Sequence, residues 1–278
     1  MILNILRLIK YKLSLAVTIT CISSYILYKD KADFLLILTA LAVFLLAAGM
    51  SALNQYQERR RDSLMKRTAG RPVPSGKIKP PIALTISLIL ILTALVMLLY
   101  ITEWSLILAI IAIALYNGLY TWLKTVSYLS IIPGALVGAI PPLIGWQAAG
   151  GSLPDPAPLY LAFLMFMWQI PHFWILLLIH REDYKAAGFP TILKSVNIVQ
   201  ATRISYVWIC LSALFAISYN VFGIYTASLV SYIVVILSLV FLVVFFFLLL
   251  VYDKPGKAFI LSNVFISILF LLFATGKV

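Results

Sequence analysis

FLLILTALAVFLLAAGMSALNQYQERRRD, residues 34–62, decides the fold. Residues 34–53 carry no charge and match the length of about 20 apolar residues that a helix needs to cross the hydrocarbon of a bilayer. The run then turns polar without a glycine or proline to stop it. If the helix continues past the membrane surface, Asn54, Glu58 and Asp62 fall every fourth residue and share one face on successive turns.

Outward from this run the chain repeats the same text. Of its 278 residues 63% are hydrophobic and 11% charged, a balance that leaves too little polar surface to cover a water-soluble domain of that size. Eight further charge-poor runs of spanning length lie at roughly 14–28, 82–101, 104–123, 129–149, 159–179, 204–222, 228–251 and 258–275. They lack the short alternating segments of a barrel, so the expected fold class is all-α, a polytopic membrane bundle of nine transmembrane helices forming one domain over residues 1–278. Cys21 and Cys210 fall inside spans without ligand spacing and read as packing residues.

Nine spans put the even-numbered loops and the N-terminus on one face. Of the 21 lysines and arginines, 18 fall there, and Lys29, Lys31 and Lys277 fall on the other. The positive-inside rule then places the N-terminus and basic loops in the cytoplasm and accounts for the net charge of +12 by topology. A nucleic-acid partner would need a soluble basic surface, and none is expected. The first span follows almost directly on the N-terminus, so neither a transit peptide nor a cleavable signal is expected, and a bacterial or archaeal plasma membrane is the simplest location.

Two longer polar stretches share the basic face, 54–81 and 180–203. In the first, Asn54, Glu58 and Asp62 supply hard oxygen donors of the kind magnesium takes together with phosphate oxygens. Lys66, Arg67 and Arg71 could hold the phosphates themselves. Arg59, Arg60 and Arg61 read instead as anchors to anionic head groups. Ahead of the second stretch, Pro171 interrupts an apolar span, which implies a cavity near Gln169 and His172. His172 is a candidate catalytic or ligand-binding group, with a histidine satisfied by a neighbouring helix as the alternative. Asp183, flanked by Arg181 and Lys185, is a candidate second metal or diphosphate contact, or part of an ordinary solvated loop. Tyr116, Tyr120 and Lys124 stand four residues apart at the end of the fourth span, where Lys124 could hold a phosphate or a propionate or simply mark the membrane edge.

The pattern Asn54-x3-Glu58-x3-Asp62-x2-Met65-x-Arg67-Thr68-x2-Arg71-Pro72-x-Pro74-x-Gly76 closely resembles the first motif of the UbiA-type intramembrane prenyltransferases. Tyr120-Thr-x-Leu-Lys124, the stretch Gly134 to Trp146, Trp168-Gln169-Ile-Pro171-His172-Phe173-Trp174 and Asp183-Tyr184-Lys-x-Ala-Gly188-x-Pro190 resemble the branch of that family that farnesylates haem. The resemblance covers about residues 10–275. It implies a central chamber open towards the cytoplasmic loops. There magnesium binds farnesyl diphosphate, and the farnesyl chain is attached to a vinyl group of haem B, giving haem O and diphosphate.

Carried over by motif are Asn54, Asp62, Arg67, Arg71, Lys124 and Asp183, with His172, His180 and Trp168 as candidates on the haem side. A haem A synthase or an oxidase assembly factor is the implied protein partner. The family usually has Asp where this chain has Glu58, which bears on whether that carboxylate reaches the metal directly or through water. A sister prenyltransferase acting on an aromatic or quinone-precursor acceptor, and a membrane transporter built on broken helices, are the competing readings.

Overall fold

The computed structural model describes residues 1–224 and 228–275, and Lys277 lies outside them. A short helix α1 (Ile2–Leu8) precedes α2 (Tyr11–Lys29) and α3 (Phe34–Asp62). After the single turn α4 (Lys66–Ala69) come α5 (Pro80–Ile101) and α6 (Glu103–Ile113), which widens into a π-helical stretch, Ala114–Tyr120, and ends in α7 (Thr121–Leu123). Then follow α8 (Ile131–Ala148), α9 (Pro156–Ile179), the short α10 (Arg181–Ala186), α11 (Ile198–Ile217), α12 (Ser228–Phe246) and α13 (Pro255–Thr275). Among the described residues, nine helical segments are long and apolar enough to cross a membrane, which makes this an integral membrane protein. They coincide one for one with the nine runs read from the sequence.

The boundaries moved where a cap decides them. α11 begins at Ile198, ahead of the expected 204, because Asn197 and Gln200 form a reciprocal capping box. The Asn197 carboxamide oxygen accepts from the Gln200 amide, and the Gln200 side chain accepts from that of Asn197. As expected, α3 runs straight past its apolar part to Asp62.

Consecutive spans pack side by side, and the ninth returns against the first, closing a ring. α8 is the most deeply enclosed span, with 67% of its apolar window buried, and α9 follows at 56%. Small residues permit the close approach. A Cβ built on Gly145 of α8 would overlap the carbonyl of Cys21 on α2, and one on Gly49 of α3 would meet the α5 backbone at 3.0 Å. Lipid-facing surfaces keep their leucines and isoleucines exposed, Leu88, Ile89 and Leu92 on α5 among them. Cys21 and Cys210 are both unpaired.

Candidate active site

The inward face of α3 carries Asn54, Glu58 and Asp62 at relative exposures of 3%, 7% and 0%, so the polar end of this helix points into the bundle and away from bulk water. Each meets a cation. Lys10 Nζ donates to Asn54 Oδ1 at 3.2 Å, Lys124 Nζ bridges both Glu58 oxygens at 3.2 and 3.1 Å, and an Arg71 guanidinium nitrogen lies 2.7 Å from Asp62 Oδ2. The other Asp62 oxygen, Oδ1, is buried without a hydrogen-bond partner among the described residues. An orphaned carboxylate oxygen beside two further oxygen donors fits a hard divalent cation. Among the described residues no three Asp, Glu, His or Cys side chains converge, and the candidate oxygen donors here are two carboxylates and the Asn54 carboxamide.

The neighbouring elements hold this face in place. The π-helical stretch leaves backbone carbonyls without their usual α-helical donors. The Thr121 hydroxyl donates to the Tyr116 carbonyl at 2.8 Å, and Gln57 of α3 donates to that of Asn117 at 2.9 Å. Thr121 in turn receives Asn54 Nδ2 at 3.3 Å. The expected phenol ladder is present although the helix is not regular there. Tyr116 and Tyr120 stack with centroids 5.5 Å apart, and both line the cavity.

That cavity has a volume of about 420 Å³. One end is polar, with Lys10, Asn54, Glu58, Asp62, Arg67, Arg71, Lys124 and Tyr184 in its wall. The remainder is largely apolar, walled by Val17, Val43, Leu46, Met50, Ile140 and Ile144. Burial, with the Arg71 charge beside it, pulls the Lys10 ammonium down to about 7. Burial is the strongest single influence on Lys124 and opposes its charge, but the Glu58 carboxylate, with Tyr184 and Tyr116 adding to it, holds that ammonium above its ordinary value.

His172 lines the cavity with Gln169, as the Pro171 argument implied, and α9 continues unbroken through that proline. His172 Nδ1 and Gln169 Oε1 are buried and have no partner among the described residues.

Other expected site residues sit elsewhere. Asp183 does not line the cavity. Its two oxygens accept from the Lys66 and Arg67 amides at 3.0 and 3.2 Å, so it caps α4 instead of joining the Asn54 face. Lys66, Arg181 and Lys185 are exposed and lie outside the cavity wall, and Arg181 faces Glu182 at 3.7 Å. His180 packs towards Asp183 at 4.0 Å, and burial together with the Arg67 charge lowers its pKa. Trp168 donates its indole N–H to Ser262 Oγ on α13 at 2.7 Å, a structural bond between two spans. The sequence offered no sign of Lys10 in this role. It reaches Asn54 because the chain breaks at a left-handed Lys10, φ 46°, between α1 and α2, a conformation that its residue type does not announce.

A membrane bundle with a cavity that joins buried carboxylates and four cations to an apolar chamber is built for a ligand with an anionic head and a hydrocarbon tail. The chain belongs to the UbiA prenyltransferase family, whose sequence model matches residues 16–269. It is 40% identical over 185 residues to a protoheme IX farnesyltransferase of Geobacter sulfurreducens, covering 66% of this chain and 68% of that one. Its identity to the protoheme IX farnesyltransferase of Oleidesulfovibrio alaskensis is 37% over 184 residues, 66% of this chain and 65% of that relative. These matches thus span about two thirds of the relatives' length. Among solved structures, a UbiA homologue from Aeropyrum pernix K1 superposes with a TM-score of 0.79 at 15% identity, over 95% of this chain and 97% of that one. A UbiA homologue from Archaeoglobus fulgidus, bound to GPP and Mg2+, superposes with a TM-score of 0.73 at 16% identity, over 98% of this chain and all of that one. These two likenesses concern the fold.

Proposed function

We propose that the protein transfers the farnesyl group of farnesyl diphosphate to a vinyl group of haem B, giving haem O and diphosphate. The observation that carries this reading is the cavity's division into a polar, cation-lined end and an apolar body. The curated relatives named protoheme IX farnesyltransferase and the run Trp168 to Trp174 support haem as the acceptor. The A. fulgidus structure with GPP and Mg2+ supports magnesium as the metal.

Asn54, Glu58 and Asp62 would hold the magnesium, which when bound neutralises the diphosphate and helps it leave. Arg67, Arg71, Lys124 and Lys10 surround the same end and stabilise the departing charge. Asp183, by fixing the N-terminus of α4, positions the backbone that carries Arg67. When the C1–O bond breaks, its electron pair leaves with the diphosphate. The allylic cation is then shielded from water by Val43, Leu46 and Ile140 and faced by the rings of Tyr116 and Tyr120. The outer vinyl carbon bonds to C1, and the cation left on the inner vinyl carbon takes the oxygen of one water, which loses a proton.

The basic loops face the cytoplasm in this reading, in a plasma membrane, on the strength of the distribution of 18 lysines and arginines. The test is to supply the purified protein with haem B, farnesyl diphosphate and magnesium and to examine the porphyrin by mass spectrometry. A hydroxyethylfarnesyl adduct is expected. Turnover of a phenolic acceptor with haem unmodified would overturn the assignment in favour of a sister activity.

A further inference from the structure

The reaction as written needs one water at a defined moment in a cavity otherwise built to exclude it. Two polar groups stand beyond the diphosphate end. Gln169 and His172 lie three residues apart on α9, on the same side of the helix, and both line the cavity. Their free atoms, Gln169 Oε1 and His172 Nδ1, are hydrogen-bond acceptors in a neutral imidazole protonated at Nε2 and in a carboxamide. Both are buried without a partner among the described residues. The imidazole is held by rings on two sides, Phe259 at 4.6 Å and Trp168 at 4.8 Å between centroids.

Their depth suits the chemistry. Phe173, next to His172, stacks on Tyr120 at 6.0 Å, and Thr121, next to Tyr120, holds Asn54. His172 therefore lies near the level of Asn54, the innermost of the three oxygen donors on α3, and Gln169 lies almost one turn further in. Opposite Gln169 stands Gly138 of α8, where a Cβ would overlap the carboxamide. The glycine leaves that side chain its room.

We infer that Gln169 and His172 together hold the water that adds to the prenylated acceptor, with His172 Nδ1 receiving its proton. A water donating one hydrogen to each acceptor keeps a lone pair free for the carbon. As that C–O bond forms, the second O–H breaks towards the imidazole, which passes the proton on and returns to neutrality. Without the pair, the cation instead loses a proton from the adjacent CH2, giving an alkene one water lighter than the hydroxylated adduct. This rests on haem as the acceptor.

The experiment compares porphyrin products of the wild-type protein with those of Gln169→Met, His172→Phe and Gly138→Ala, each given haem B, farnesyl diphosphate and magnesium in 18O-labelled water. The wild type should yield the hydroxylated adduct carrying the label. The three variants should still prenylate, with the ratio of hydroxylated to dehydrated adduct falling about tenfold or more. His172→Asn, which retains an acceptor oxygen, should recover part of that ratio.

Gly138→Ala displaces only the end of a flexible side chain, so it tests the idea even if the α9 variants fail to fold. An unchanged ratio in the folded variants overturns the inference. So does loss of both adducts from a folded variant, which would place these residues in an earlier step. If the wild type forms no adduct at all, the haem reading itself fails and takes the inference with it.

Discussion

Glu58 and Asp62 differ in what they are paired with, and their substitutions should differ accordingly. Asp62→Ala removes the orphaned oxygen and the Arg71 partner together. Magnesium-dependent turnover should fall about 10²–10³-fold while the protein still inserts and folds, as judged by initial rates and circular dichroism. Retained activity would refute the metal assignment. Lys124→Met leaves Glu58 buried without its cation, which should cost about 3–5 kcal/mol, seen as a lowered thermal midpoint. The double variant Glu58→Gln, Lys124→Met should recover much of that loss, since no buried charge then stands alone. The carboxylates were legible because helical spacing alone puts 54, 58 and 62 on one face. Their cationic partners were legible only in part: Arg71 and Lys124 lie within recognisable motifs, but Lys10 arrives from the break between α1 and α2, 44 residues away. No local pattern encodes such a contact.

Asp183 shows the same limit at the level of elements. Its acidic character and neighbours suggest a ligand, whereas its role depends on α10 lying beside the start of α4, a tertiary fact. Asp183→Ala should raise the KM for farnesyl diphosphate severalfold, leave kcat closer to wild type, and cost about 1 kcal/mol, the usual worth of a cap. A fall in kcat alone would argue instead for a direct part in the chemistry. Helix contacts make a sharper contrast. Gly145→Ala pushes a methyl into the Cys21 carbonyl, part of a backbone that cannot swing aside, and should destabilise the α2–α8 contact by about 1–3 kcal/mol. Gly118→Ala meets open space and should lose nothing of that kind in the same melting experiment. The stretch Gly134 to Trp146 was readable as a motif, but which glycine touches which backbone was not.

The nine-span architecture was the most legible feature of the whole molecule, because lipid leaves the backbone few options and hydropathy records each crossing. Orientation rests on the basic loops and is open to a direct check in a Cys21→Ala, Cys210→Ala background. A cysteine at Ser75 should be reached by a membrane-impermeant thiol reagent only from the cytoplasmic side, and one at Ser152 only from outside. The reverse pattern would overturn the topology.

The ring also has a history in time. Its closing seam joins α2 to α13, and the cavity wall draws on both through Val17 and Phe259. Those helices leave the ribosome more than 200 residues apart, about 10–45 s at ordinary rates of synthesis. The ion pairs of the polar end are all complete by Lys124. The nascent half-ring can therefore wait in lipid with its carboxylates already neutralised, and the last helix has only to shut an apolar door.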